Sequence, residues 1–484
     1  MKFPICCLLI LFAATPILAQ AQAQAEAVRY QPVVDTERTQ QADFISNREL
    51  LKLPVNVRNY LNLATLTPGV SEVNDYVGIT DAPLVQAPQS GLSFGGNNGR
   101  GNVFWLDGGE NYINSGGVRA SISQSAVAEF QVVRSNYSAE FGGGIGGIVN
   151  IVSKAGSNQF HGDLFGFLRN RSFQARNYFS PEKGAFTRTQ TGGTLGGPLR
   201  RDRTFFFAAF ERLQRRETSY VTLDPDNRGS FSQLRKTQQQ LANYLKASGS
   251  PALIQLGLQS EFLLNTQNFP GTLALFNANR GTFPFSENNT QGSLRLDHSF
   301  SDNHHLFLRF NASANTSENS ALEGLVGFSR GIVSGFSDQT LMLNDTYVIS
   351  PSLVSESRLS FNRTRYRVSN EDTIGPSIDI NGYGLFGKDW TLPTAFTEWH
   401  GQLQQNMFYQ TGRHSVRFGV DINPVHVAAN VQADVGGRFS FGEYLPLSAF
   451  YNTLTGDPNF SSNLSSALNN AGQSSLVKGL SIPG

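Results

Sequence analysis

The 484-residue chain carries 38 basic and 37 acidic residues, a formal charge of +1, with 48 Gly, 37 Phe and two Cys. A balance so near neutral excludes a nucleic-acid binder, which needs a basic surplus to meet phosphates. Both cysteines, Cys6 and Cys7, lie in the first apolar run. Without that run the chain has no thiol for disulfides, zinc-thiolate sites or nucleophilic catalysis.

Lys2 and the apolar run from Ile5 to Leu18, broken only by Thr15 and Pro16, read as an export signal over residues 1–19. The run is shorter than the roughly 20 apolar residues a membrane helix needs. Residues 20–45, Gln/Ala-rich and then polar, read as a flexible periplasmic lead containing one short apolar patch, Pro32-Val33-Val34-Asp35. From Ser46 to residue 155 a compact α+β domain is expected. Asn47–Leu53 reads as a short helix with Asn47 as its cap, ended by Pro54. Asn56–Thr67 has helical spacing at Val57, Tyr60, Leu61 and Ala64, closed by Pro68-Gly69. Val103–Leu106, Val127–Val133 and Ile148–Val152 read as strands.

Beyond Phe160 the period becomes two. Leu294, Leu296, His298 and Phe300 alternate with Ser293, Arg295, Asp297 and Ser299, and Val416, Phe418 and Val420 share a face in Ser415–Asp421. Nine strands are expected at about 160–168, 189–199, 204–213, 292–300, 304–312, 339–349, 353–367, 402–411 and 414–422. Tight turns at Arg200–Asp202, Ser301–Asn303, Ser350–Ser352 and Thr411–Arg413 alternate with long polar stretches at 169–188, 214–291, 313–338 and 368–401. Such alternation is the construction of an outer-membrane barrel, with short periplasmic turns and long outer loops. In a compact soluble domain, loops beyond about 15 residues count against an assignment. After Ile422 the only further strand signal is Arg438–Phe441. An open set of nine strands leaves backbone groups unpaired in lipid, so residues 156–484 are expected to be a truncated part of a barrel. The fold class is thus an incomplete outer-membrane antiparallel β-barrel with an N-terminal α+β domain.

Several elements, in order, resemble those of the TonB-dependent receptors, and more narrowly their Oar-like branch. They are Leu53–Tyr60, Leu66–Val70, Asn102–Gly108, Ala139–Gly142, Ile145–Lys154, Gly156–Gly162, Leu195–Leu199, Thr204–Phe207 and Phe210-Glu211, together covering roughly residues 45–422. Val57 stands where that branch has glycine. The resemblance implies that residues 46–155 are a plug domain and that the complete barrel has 22 strands. It further implies energised uptake of a nutrient ligand, a glycan or a peptide, driven by TonB and its inner-membrane complex. Under that resemblance Pro32, Val33, Val34 and Asp35 are candidates for the TonB contact. Asn97, Asn98, Arg100, Asp107, Glu110, Asn111 and Tyr112 are candidates for ligand binding on apical loops. Gly142, Gly146, Gly147, Asn150 and Lys154 mark the junction of plug and barrel. The rival reading is a non-transporting surface or adhesion protein, or a receptor relic.

Gly142, Gly144 and Gly147 spell a G-x-G-x-x-G pattern, but a dinucleotide site needs a helix after it, and Ile148–Val152 is a strand former. Glycines there answer a backbone requirement, positive φ or close approach. His304 and His305, adjacent on a strand, point to opposite faces and do not chelate one ion. The cluster Arg212, Arg215 and Arg216 fits either anionic lipopolysaccharide at the outer rim or a solvated loop base. No catalytic constellation, cofactor motif or metal motif stands out, and no enzyme is expected.

Overall fold

The computed structural model describes residues 41–441 apart from 54–57, 59, 73–91, 98–100, 114–118, 120–121, 138–139, 145, 177–182, 222, 224–238, 241, 265–269, 321, 323, 372–374, 381–383 and 434. The expected export signal, the patch Pro32–Asp35, and Asn98 and Arg100 lie outside the described residues.

The first part builds a small five-stranded sheet. Its elements are β1 (Gln41–Ser46), α1 (Asn47–Lys52), β2 (Val70–Glu72), β3 (Leu92–Phe94), β4 (Val103–Leu106), β5 (Gly109–Glu110), β6 (Val127–Ser135) and β7 (Ile148–Ser153). The sheet order is β1-β6-β7-β4-β5, and β2 and β3 pair separately. Only β4 and β7 run parallel within it. Period two sorts the side chains: Phe104, Leu106, Phe130, Val132, Val149 and Ile151 pack one face, with Leu50, Tyr60 and Leu63 over them. Val103, Trp105, Val133 and Ile148 pack the other. Fully burying one such side chain is worth roughly 1.5–3 kcal/mol. Most of this small sheet's stability therefore comes from those two clusters.

Three expectations are corrected here. Residues 41–45, expected as the end of a flexible lead, are strand β1, paired antiparallel with β6 and anchored by buried Ile45. The cap of α1 is Ser46 rather than Asn47: the Ser46 backbone N–H and hydroxyl both donate to Glu49, at 2.7 and 2.8 Å. A Glu three residues after the cap closes a capping box. The expected helix over 56–67 is a 3-10 helix, Tyr60–Leu66, in its described part. Val103–Leu106, Val127–Val133 and Ile148–Val152 are strands as read, so the glycine pattern at 142–147 leads into a strand.

A large sheet follows. Its strands and the neighbouring elements, in chain order, are β8 (His161–Asn170), β9 (Phe186–Arg200), β10 (Thr204–Val221), α2 (Pro251–Leu264), α3 (Pro270–Asn279), β11 (Gly281–Ser301) and β12 (His304–Glu318). They continue with β13 (Ile332–Ser350), β14 (Leu353–Asn370), β15 (Ser377–Ile380), β16 (Gly384–Gly387), β17 (Thr394–Thr411), β18 (His414–Ile422), β19 (Val425–Val431) and β20 (Arg438–Phe441). The order β8-β9-β10-β11-β12-β13-β14-β17-β18 is an antiparallel meander, with β19 continuing beside β17. All nine expected strands are present with their tight-turn ends where the sequence places them. Several far ends run well into the stretches read as loops: β10 reaches Val221 and β11 begins at Gly281, whereas β18 ends at Ile422 as expected. Among the described residues β8 and β18 have no partner on their outer sides, so the sheet is open.

One face of this sheet is polar and the other apolar. Glu211, Ser293, Arg309, Asn311, Asp338, Asn362, Glu398 and Gln402 lie buried on the first. Leu195, Phe210, Leu294, Phe310, Leu341, Phe361, Leu403 and Phe418 lie exposed on the second. An exposed apolar face backed by a polar one is the lipid-out, lumen-in pattern of a membrane strand. At the far ends of the strands the connections fold into a cap. Its core is Val221, Leu223, Phe276, Leu322 and Phe386, crossed by the small sheet β16-β15-β20. Buried Arg330 ties it together, pairing with Asp379 and, at 3.4 Å, Asp389, and donating to Ser377 Oγ and to the Phe386 carbonyl.

Leu296 sits on the apolar face, paired with Phe206 and Leu308 across its two neighbours. Leu296→Arg is expected to cost roughly 2–4 kcal/mol, the price of a mid-bilayer arginine on an outward face. Urea unfolding of the protein reconstituted in bilayers measures it. A cost near zero removes that face from the lipid.

Candidate functional site: an ionic seam between the two sheets

The small sheet lies against the polar face of the large one. Phe207 and Ala209 of β10 enter its hydrophobic core, and around them the contact is ionic. The register sets up the first group. Arg295 on β11 stands directly opposite Arg309 on β12, and like charges facing each other across a ladder destabilise it. Asp107 resolves the conflict. It occupies the β4–β5 turn in the left-handed region, at φ 52°, ion-pairs with Arg309, and lies 3.6 Å from Arg295. Its carboxylate also accepts from the Ser153 backbone N–H at 2.8 Å and hydroxyl at 2.6 Å. Burial alone raises this carboxyl, but Arg309, Arg295 and the Ser153 bonds outweigh it and hold the group below the usual carboxylate range.

The second group centres on Arg119, whose side chain is fully buried. Asp338 of β13, Thr364 of β14 and Glu398 of β17 form a single register row. The Arg119 guanidinium donates to all three, at 3.2, 2.5 and 3.1 Å. Its Nε donates to the Tyr112 carbonyl at 3.0 Å, and His400 Nδ1 lies 3.4 Å away. One side chain thus spans three strands.

A third group surrounds Glu110. Its backbone N–H donates to Gln402 Oε1 at 2.9 Å, its carboxylate accepts from Asn423 at 3.1 Å, and His400 Nε2 lies 3.3 Å off. Burial, helped by the nearby Asp421 carboxylate, pushes the Glu110 carboxyl up to about 7. Arg58, 3.5 Å from Glu211 and stacked on the Phe165 ring, and Arg417, 3.1 Å from Glu140, complete the seam. Below it, toward the tight turns, lies a cavity of about 770 Å³ lined by Trp105, Asn150, Phe205, Arg358 and Phe408 among others.

The seven residues expected on ligand loops fare differently. The Asp107 side chain, 4% exposed, and Asn111 are buried with internal partners, Asn111 donating to the Arg119 carbonyl. Neither is open to a ligand, because each completes a contact within or between the sheets. Asn97 accepts from the Phe94 backbone N–H and donates to Asn102, and Glu110 and Tyr112 line the seam. At the expected junction, a Cβ on Gly146 would come within 2.2 Å of Asn97 and Asn102, and one on Gly147 within 2.1 Å of Phe94. Both glycines permit close approach inside the small sheet. Gly142 faces open space, and the positive φ of 77° belongs to Gly143. Asn150 sits in β7 opposite Trp105. Lys154, just past β7, bonds the Ala126 carbonyl through its backbone N–H. His304 bonds Asp345, while His305 contacts Ser299 and lines the cavity on the opposite face. The sequence reading placed Arg295 on the polar face of its strand but gave neither it nor Arg309 a role, and it missed Arg119.

Arg119→Ala strands Asp338 and Glu398, and removing one partner from a buried ion pair costs about 3–5 kcal/mol. The small sheet of this variant is expected to become protease-sensitive in an otherwise assembled protein, and limited proteolysis tests it. Arg119→Ala combined with Asp338→Asn and Glu398→Gln is expected to recover part of the loss. Glu110 gives a pH signature. Its folded value lies above the unfolded one near 4.5, so its contribution to docking is complete below about pH 4.5 and lost as pH rises through about 7. Protease resistance of the small sheet is expected to fall across that window, and Glu110→Gln to flatten the dependence; an unchanged slope in the variant assigns it elsewhere.

A family model described as an outer membrane beta barrel domain matches residues 152–478. The TonB-dependent transporter Oar of Myxococcus xanthus is 32% identical over 138 residues, covering 27% of this chain and 13% of Oar. The resemblance read from the motifs is thus found again in that transporter. Among solved structures, the outer membrane transporter YddB from Escherichia coli superposes with a TM-score of 0.51 at 10% identity, over 81% of this chain and 55% of that one. The likeness is one of fold. The chain therefore spans only about half of YddB, and far less of Oar. By the match over residues 152–478, the chain belongs to the outer membrane β-barrel domain family and is an outer-membrane protein.

Proposed function

We propose that the small sheet, residues 46–155 together with strand β1, is the plug of a TonB-dependent receptor. Residues 156–484 are then the first part of its barrel, and the whole protein imports a nutrient ligand. The observation that carries this reading is the seam: Arg119 joins three strands of the large sheet to the small one through buried charge. A transporter must hold its lumen shut at rest, and buried pairs that are costly to break do so. An adhesin has no use for them.

The topology suggests how force opens it. β1 is the edge strand of the small sheet and directly follows the segment holding Pro32–Asp35. An outer membrane has no ATP, so energy arrives as a pull from TonB and its inner-membrane complex on that segment. A pull there peels β1 from β6 one hydrogen-bonded pair at a time, each net bond worth only about 1 kcal/mol. The seam then faces the load piecemeal. The ligand in this reading is a glycan or peptide, with Asn97, Asn98, Arg100, Glu110 and Tyr112 as its candidate contacts, while Asp107 and Asn111 hold the seam.

A photocrosslinking residue at Val34, in cells carrying TonB, tests the proposal. A crosslinked receptor–TonB species that vanishes in cells without TonB is the expected result. A folded, surface-exposed receptor giving no such species overturns it in favour of a non-transporting surface protein.

A further inference from the structure

Strand β14 carries Arg363, Arg365 and Arg367 at alternate positions, so all three share one face. Thr364 and Val368 between and beyond them are buried, whereas Arg365 and Arg367 are exposed, which puts the arginines on the outward, apolar side of the sheet. Directly beneath them on that side lie the exposed Leu359 and Phe361. Their height can be reckoned. Arg363 is ten residues past Leu353, the first residue after the tight turn. At roughly 3.3 Å per residue and a strand tilt near 40°, ten residues climb about 25 Å. That is about the height of the apolar band of such proteins. Arg363 therefore stands at the outer edge of the band, and Arg365 and Arg367 rise just above it.

Among the described residues, the cross-strand rows that hold the three arginines supply no counter-charge; the nearest carboxylate on this face, Glu318, stands one row higher and two strands away. The cross-strand rows on this face read Ala312, Gln339, Arg363, Trp399, His426; then Ala314, Ser337, Arg365, Thr397, Ala428; then Thr316, Gly335, Arg367, Ala395, Asn430. No row contains a carboxylate. The contrast with the inward face is sharp, where the guanidinium of Arg119 meets two carboxylates. Three like charges at alternate positions on one strand repel one another, and a fold tolerates them where an anion lies among them. Trp399 beside Arg363, its ring 5.4 Å from His426, is the kind of aromatic that settles at the membrane–water boundary.

We propose that the outward ladder Arg363, Arg365 and Arg367 is a docking site for the phosphate groups of the glycolipid that forms the outer leaflet. Guanidinium forks bind phosphate bidentately with charge-assisted hydrogen bonds. The spacing suits an extended, multiply charged headgroup: alternate strand residues lie about 6.6 Å apart, so neighbouring arginines reach separate phosphates. The site anchors the barrel at a fixed depth in the leaflet and is independent of what the receptor transports.

The test uses the full-length protein purified in a non-ionic detergent, with binding of lipid A carrying two phosphates, or none, read by native mass spectrometry. The wild-type protein is expected to bind the bisphosphorylated form about tenfold or more tightly over the phosphate-free form, each lost charge-assisted contact being worth that much. The triple variant R363Q/R365Q/R367Q, checked for assembly by heat-modifiable gel migration, is expected to lose this preference. Equal binding of the two lipids by the wild type, or an undiminished preference in the assembled triple variant, overturns the proposal. Equal binding of phosphatidylglycerol and bisphosphorylated lipid A by the wild type overturns the glycolipid assignment. If the triple variant does not assemble, the wild-type comparison of lipids decides alone.

Discussion

Everything in this chain depends on the two-residue period of a strand in lipid. Inside a bilayer the backbone has no water to bond, so strands must pair along their length. Once they are paired, each residue faces either lipid or lumen. A slip of one residue would move Arg295, Arg309, Asp338 and Glu398 to the lipid side together and bring Leu294, Phe310, Leu341 and Leu403 inward. The register that keeps them apart is the same register that sets Arg295 opposite Arg309 and lines up Asp338, Thr364 and Glu398. The seam is thus a by-product of membrane architecture. Within the apolar band, charges excluded from one face are concentrated on the other, and the small sheet supplies their partners.

That period also explains what could be read in advance. The tight-turn ends of all nine strands were legible because near the turns one face is apolar and the other polar, as in Ser293–Phe300. Several far ends were not. In β11 the run from Ser286 to Gln291, and in β12 the run from Ala312 to Glu318, are polar or small on both faces, because there neither face meets hydrocarbon. Alternation disappears while hydrogen-bonded pairing continues, so residues read as loop are strand. The helices Pro251–Leu264 and Pro270–Asn279 each begin with proline, which suits a first helical position since its missing N–H is unpaired there anyway. That signal was present and went unused.

The seam was far less legible. Asp107 was visible as a turn residue, and a polar turn at a strand end reads naturally as a ligand loop. Its true partners lie about 190 and 200 positions further on, and nothing local announces them. Arg119 sits in a Gly- and Ser-rich stretch without periodicity, and its carboxylates at 338 and 398 fall on strands where any single acidic residue passes for lumen lining. Only the sheet order brings the three together. The glycines show a milder version of the same limit. Their need for space was legible, but that Phe94 and Asn102 would be the neighbours was not.

The cap at the far ends of the strands has a consequence of its own. Its described parts are already knit together by Arg330, by the Phe276–Phe386 contact at 4.9 Å and by the stacked Phe283 and Phe328 rings at 4.3 Å. A molecule arriving there meets side chains whose conformational freedom has been surrendered during folding. Ordering a free side chain on binding costs about 0.5–1.5 kcal/mol, and here that cost largely falls before the encounter. Capture by such a surface resembles a key meeting a cut lock more than a hand closing. A poorly shaped molecule would gain little from rearrangement of those described side chains.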